Sequence, residues 1–175
     1  MTLLLTGPVH GGKTTFLESS LARWSAQGFA PGGFLSVAVT GASGATGYDL
    51  LELKSGHRHP YLRRQGEPGA ERIGPFFFVP STLERARAII READPRELLI
   101  VDEVGPLELL GGGLWPVVRE ALSRPGMNLL LVVREEILED VIAALGPHGP
   151  LVFDVRDPNV RRSVDESLLG TGQGR

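Results

Sequence analysis

The sequence predicts an α/β fold in which a mostly parallel sheet carries helices on both faces. Three observations predict it. Short continuous apolar runs recur at residues 3–6, 98–101, 129–133 and 151–155, as strands covered on both faces require. Stretches of helical periodicity stand between them. A glycine turn follows the first run and Asp102-Glu103 follows the second. Both therefore fall at the carboxyl ends of strands, where ligands sit in such sheets.

The elements follow in order. Residues 3–6 form the first strand. Residues 14–27 place Phe16, Leu17, Leu21 and Trp24 at helical spacing, and Gly28 stops the helix. Residues 33–40 and 48–53 read as two strands around the glycine-rich loop 41–47, paired antiparallel. Residues 54–75 are polar and read as a loop or lid with a short strand or helix. Residues 76–79 form a strand. Ser81 and Glu84 fit a capping box for a helix through Leu83, Ala86, Ile90 and Ala93, which Asp94-Pro95 ends. The strand at 98–101 is followed by a helix at 114–122. The strand at 129–133 is followed by a helical stripe of Ile137, Leu138, Val141, Ile142 and Leu145. Residues 151–155 are the last strand. Residues 1–155 form the nucleotide-binding domain suggested below, and 156–175 a tail without a core pattern, frayed at its glycine-rich end.

Composition bounds the function. The chain has 175 residues, 42% hydrophobic and 22% charged, enough for one ordinary domain with its own core. Its net charge of −3 gives no support to a broad nucleic-acid footprint. There is no cysteine, so disulfides, thiolate chemistry and Cys-rich zinc sites are excluded. No apolar stretch has the length of a membrane span. The N-terminus lacks the basic region of a signal peptide. A cytoplasmic protein without a membrane partner is expected.

Gly7, Gly12, Lys13 and Thr14 stand at the spacing of a Walker A motif. A triphosphate is a dense anion and needs many donors without bulky side chains in the way. Glycines let backbone N–H groups close around it, and the following helix adds its positive N-terminal end. Residues Gly7, Pro8, Val9, His10, Gly11, Gly12, Lys13, Thr14 and Thr15 are the candidate nucleotide-binding segment. Lys13 reaches the β- and γ-phosphates, and the Thr14 hydroxyl ligates Mg2+. The fold is then a P-loop NTPase three-layer sandwich.

Asp102, at the end of an apolar strand, fits the Walker B acid that completes the magnesium shell. Glu103 beside it is the candidate to polarise a water. Arg134 follows the strand at 129–133 and is the candidate to meet charge that develops during phosphoryl transfer. Arg63 and Arg64 could close over the phosphates from the 54–75 segment. His57 and His59 stand two apart without a nearby acid or cysteine, and read as loop residues rather than a metal pair. The sequence lacks Asn-Lys-x-Asp, so guanine is not singled out, and Asp157-Pro158-Asn159 could flank the base.

The stretches GPVHGGKTT and LLIVDEVGPLEL together resemble the small P-loop nucleoside-triphosphatases of thermophilic prokaryotes and their human cancer-related counterpart. GFLSV, TGYDLLEL and IGPFFF resemble further blocks of that family more loosely, and the likeness covers residues 1–155. It implies a monomeric or weakly associated α/β domain that hydrolyses ATP, GTP and other nucleoside triphosphates to diphosphate and phosphate. It carries over Lys13, Thr14 and Asp102 by motif, and Glu103 as the water-activating acid. One departure stands out. The charged Glu-Val-Arg stretch that the family carries after GF reads Ser36-Val37-Ala38-Val39-Thr40 here, and the place of its arginine before the GF-Asp block reads Ala45-Thr46-Gly47-Tyr48-Asp49. The chain therefore reads as a divergent branch. Two alternatives stay open: a nucleoside or nucleotide kinase with the 54–75 segment as its lid, and a nucleotide-binding adaptor with little turnover.

Overall fold

The computed structural model describes residues 1–42, 44–146 and 149–170, and the Glu103 side chain lies outside that description. In chain order the elements are β1 (Thr2–Gly7), α1 (Lys13–Ala26), β2 (Gly32–Gly41), β3 (Gly44–Glu52), β4 (Arg58–Arg63), β5 (Arg72–Ile73), β6 (Phe76–Phe78) and α2 (Pro80–Arg91). They continue with β7 (Leu98–Val104), α3 (Pro106–Leu109), α4 (Trp115–Leu122), β8 (Asn128–Arg134), a single 3-10 turn (Glu135–Ile137), α5 (Leu138–Leu145), β9 (Leu151–Asp154) and α6 (Val160–Leu169).

The strands form one sheet in the order β5-β6-β4-β3-β2-β7-β8-β1-β9. The half from β2 to β9 is parallel. The half from β2 to β5 is antiparallel. The sheet is thus mixed, and the parallel expectation holds for one half of it. Antiparallel neighbours need only tight turns, whereas parallel ones need a crossover. The closely spaced strands β2, β3 and β4 accordingly fold as a meander.

Alternation along the parallel strands divides the core in two. Leu4, Leu99, Val101, Leu129, Leu131 and Val133 pack with residues of α2, α4 and α5. Leu3, Leu5, Leu98, Ile100, Leu130 and Val132 pack with residues of α1 and α6. Successive side chains of a strand point to opposite faces, so one continuous apolar run serves both clusters.

Three expectations are corrected here. The 54–75 segment, expected as a loop or lid with a short strand or helix, holds two strands of the sheet. Its first part is β4, with Tyr61 and Leu62 buried in the core, and β4 pairs with both β3 and β6. Ser81 does not cap α2. The helix opens at Pro80 with Val79 in the N-cap place and no side-chain cap, since the fixed φ of proline and its missing N–H suit the first helical position. The chain after Arg156 does carry a core pattern. Val160, Val164 and Leu168 are buried on α6, each worth about 1.5–3 kcal/mol when fully buried. Asp165 of that helix accepts from Trp24 Nε1 at 2.8 Å and from Arg23 at 2.9 and 3.0 Å, which fixes α6 on α1. Residues 171–175, expected to fray, lie outside the described residues. No helix among the described residues is long and apolar enough to cross a membrane.

Candidate functional site

The turn between β1 and α1 is shaped by its glycines. Gly7 has φ 148° and a Cβ there would stand 2.5 Å from Val155 Cγ2, while Gly12 has φ 85°. Both conformations suit glycine and strain other residues. His10 adopts φ 60°, and Gly11 N donates to Pro8 O at 2.9 Å to close the turn. Lys13 folds back over it, and its Nζ donates to Gly7 O and Pro8 O, both at 2.8 Å. The ammonium is thereby held against the turn's own backbone.

Asp102 reaches this turn from β7. It is 3% exposed. Its Oδ2 accepts from Thr14 Oγ1 at 3.2 Å and from Ser36 N at 3.0 Å. The second bond follows from sheet geometry. The ladder between β2 and β7 runs only from Gly32–Leu99 to Phe34–Val101, and beyond it the Asp102 carboxylate spans the gap to β2. β8 lies between β1 and β7, with Arg134 in register with Gly7.

These residues line one cleft of about 380 Å³, with walls that include Val9 to Thr15, Glu18, Ser36 to Ala38, Tyr48, Asp102 and Arg134. The turn, the lysine, the hydroxyl, the acid and Arg134 therefore line one cleft. Gly7 and Pro8 contribute through the carbonyls that Lys13 binds. Glu103 belongs to β7, and its side chain lies outside the described residues.

Arg63 and Arg64 are placed elsewhere. Arg63 donates to Tyr48 O, Leu62 O and Asp49 Oδ1, so it braces β4 against β3. Arg64 donates to Ala45 O and lies over the Phe76 ring. Neither lines the cleft. His59 stands 3.2 Å from Glu52 Oε1, on a carboxylate that Arg85 also holds at 2.8 and 2.9 Å. Glu108 is committed as well. Its Oε2 accepts from Gly105 N at 2.8 Å and its Oε1 from Leu114 N at 3.2 Å, so it braces the loop after β7.

Two cleft residues and one acid beside the turn were not read from the sequence. Ser36 is a polar residue inside an apolar strand, and that contrast was the available signal. Tyr48 lines the cleft and meets Phe76 edge-to-face with centroids 5.4 Å apart; nothing local marked it. Asp154 ends β9 beside the turn, its carboxylate held below its ordinary range by hydrogen bonds from Arg156 and by the charges of Arg156 and Lys13.

The donor chemistry fits a magnesium nucleotide. Thr14 and Asp102 are adjacent hard oxygen donors, the type magnesium prefers. Backbone amides at a helix N-terminus with a lysine fit phosphate. Both lie in the same cleft.

Comparison with known proteins gives the chain a family. A family model described as NTPase matches residues 2–168. Nucleoside-triphosphatase THEP1 of Methanopyrus kandleri is 30% identical over 155 residues, covering 88% of this chain and 84% of the relative. The cancer-related nucleoside-triphosphatase homolog of Mus musculus is 30% identical over 177 residues, covering 95% and 92%. The solution structure of a human cancer-related nucleoside triphosphatase superposes with TM-score 0.72 at 25% identity, covering 99% of this chain and 98% of that one. The crystal structure of THEP1 from Aquifex aeolicus, at 19% identity and TM-score 0.66 with both chains fully covered, shares the fold. With a family match across nearly its whole length and a 30% identical relative covering most of it, this chain belongs to the NTPase family of nucleoside-triphosphatases.

Proposed function

We propose that this protein hydrolyses nucleoside triphosphates, ATP and GTP among them, to diphosphate and phosphate with the help of Mg2+, on a P-loop three-layer sandwich. The observation that carries the reading is the Thr14–Asp102 contact in the same cleft as the glycine turn and Lys13. The nucleoside-triphosphatase names of the relatives support it, and the two core clusters support the sandwich.

The roles follow from chemistry. The backbone N–H groups of residues 9–15 bind and orient the phosphates. Lys13 exchanges its hold on Gly7 O and Pro8 O for the β- and γ-phosphate oxygens, where a point charge gains more than at a neutral carbonyl. Thr14 and Asp102 would hold a magnesium ion, which would supply positive charge to the bound phosphates. Glu103 takes the proton from the attacking water, and Arg134, opposite Gly7 on the neighbouring strand, faces the charge that develops on the transferred group. The protein works as a monomer or weak oligomer.

Free phosphate release from ATP and GTP, with and without added nucleoside monophosphates, tests the reading. Release that needs no monophosphate is expected. Nucleotide binding without phosphate release, or phosphate appearing on an added monophosphate, would overturn it.

A further inference from the structure

We infer that the Glu18 carboxylate is a positioning group for the divalent cation, accepting a hydrogen bond from a water that the ion keeps. This rests on the reading of the cleft as a magnesium-nucleotide site.

Glu18 is an exposed residue of α1 and lines the cleft. It stands four residues after Thr14, so the two share one flank of the helix with Cβ atoms about 5–6 Å apart. Helical side chains lean toward the N-terminus of their helix. Glu18 therefore covers the turn that carries Thr14, whose Oγ1 lies 3.2 Å from Asp102 Oδ2. Leu17 and Leu21 point into the core on either side of it, in the cluster that Val37 of β2 also packs against. The cleft wall across from α1 is apolar at Val37 and Ala38. Glu18 thus brings a second carboxylate to the side of the cleft where Thr14 and Asp102 meet.

The usual role of a glutamate on a helix surface does not account for it. Such a residue is stabilised by a lysine or arginine three or four positions away. Those positions here are Thr14, Thr15, Leu21 and Ala22. No hydrogen bond or ion pair reaches the Glu18 carboxylate among the described residues. In a cleft that gathers phosphate, a lone carboxylate repels the ligand. A cation between the carboxylate and the phosphates reverses that sign.

The chemistry selects the contact. Magnesium gives up its waters reluctantly and keeps several of them when bound. Thr14 and Asp102 offer it two oxygens from one side. A carboxylate only accepts hydrogen bonds, and a water on a cation directs both of its protons outward. From one helical turn away, the reach of Glu18 suits such a water rather than the ion itself. Outer-shell partners of this kind typically carry about 10- to 100-fold in metal affinity.

The test is a manganese titration by electron paramagnetic resonance in the presence of ADP, with ADP affinity in EDTA measured on the same preparations. Mn2+ shares the oxygen preference of magnesium. Glu18→Gln should weaken Mn2+ binding about tenfold. ADP affinity in EDTA should stay the same or tighten by up to about threefold, because a repelling charge is gone. Glu139→Gln removes a charge from α5, which packs on the opposite face of the sheet and outside the cleft, and should leave Mn2+ binding unchanged. Mn2+ affinity within about twofold of the parent in the Glu18→Gln protein would overturn the proposal. So would an equal fall of ADP affinity in EDTA, or an equal effect of Glu139→Gln. Asp102→Asn in the same titration separates two failures. If it weakens Mn2+ binding and Glu18→Gln does not, Glu18 alone is refuted. If neither does, the magnesium-nucleotide reading falls and this proposal with it.

Discussion

Thr14 and Asp102 stand 88 residues apart in the chain, yet Thr14 Oγ1 donates to Asp102 Oδ2 at 3.2 Å. A hydroxyl at the start of α1 and a buried acid on β7 are thereby joined across β8, the strand between β1 and β7. Asp102→Asn replaces one carboxylate oxygen by a donor. We expect the magnesium concentration for half-maximal hydrolysis to rise about tenfold or more, with nucleotide affinity in EDTA little changed. An unmoved magnesium titration of phosphate release would remove Asp102 from the metal site.

Lys13→Ala deletes the one ammonium on the turn. Triphosphate affinity should fall at least about tenfold, or roughly 1.4 kcal/mol. Calorimetry with a non-hydrolysable ATP analogue measures it. Circular dichroism checks that the turn survives without the bonds to Gly7 O and Pro8 O. Unchanged affinity in a folded variant would sink the phosphate-binding role of the turn.

Glu103→Gln should leave triphosphate bound and slow its hydrolysis by about 10² to 10⁴. Glutamine keeps the shape but cannot take a proton at pH 7. Single-turnover hydrolysis and nucleotide affinity on one preparation decide the matter. A rate within about threefold of the parent would refute a catalytic Glu103.

Glu108→Ala should cost stability rather than chemistry. It leaves the N–H groups of Gly105 and Leu114 without their acceptor, at about 1–3 kcal/mol for each buried group. Thermal unfolding should show a lower midpoint, and hydrolysis well below that midpoint should stay within about threefold. A hundredfold fall in rate would instead make Glu108 the acid that serves the water.

Glu52 ties acid stability to the other end of the sheet. Its pKa is lowered to about 2, first by the hydrogen bonds from Arg85 and then by Ser55 and the charges of Arg85 and His59, against the opposing cost of burial. The folded value lies below the unfolded one, so the native state gains stability above about pH 4.5 and loses it as pH falls toward 2. The half-exposed Arg85 is screened by solvent, which limits the gain to on the order of 2 kcal/mol. Glu52→Gln should flatten the fall of the unfolding midpoint across that range. An unchanged slope would show that the pair contributes no acid linkage.

The parallel strands and the glycine turn were legible because their signals are local. Leu3, Leu4 and Leu5, or Leu129 to Val133, are buried on both faces and need no periodicity to be seen. Gly12, Lys13 and Thr14 declare their chemistry by spacing. What escaped depends on distant partners. The stripe of Val160, Val164 and Leu168 is interrupted by Arg161, Arg162, Asp165 and Glu166, and makes sense only once α1 offers Trp24 and Arg23 to Asp165. α3 is four residues long, too short for a periodic signal. β4 looked like a loop because Arg58, His59 and Arg63 surround Tyr61 and Leu62. Arg63 proved to be a brace for Asp49 and Tyr48 rather than a phosphate ligand.

The ladder that joins β2 to the parallel half of the sheet runs through Gly32, Gly33 and Phe34, with the Asp102 carboxylate on Ser36 N just beyond it. The rest of β2 runs on against β3, from Phe34 to Gly41, and carries Ser36, Val37, Ala38 and, across the hairpin, Tyr48 into the cleft. The glycine turn is therefore anchored in one half of the sheet and the facing wall in the other. Substitutions along the hairpin can recontour that wall without unseating β7, β8, β1 and β9. In an evolving lineage, the shape of the accepted substrate becomes a trait free to drift while the machinery that holds phosphate is inherited intact.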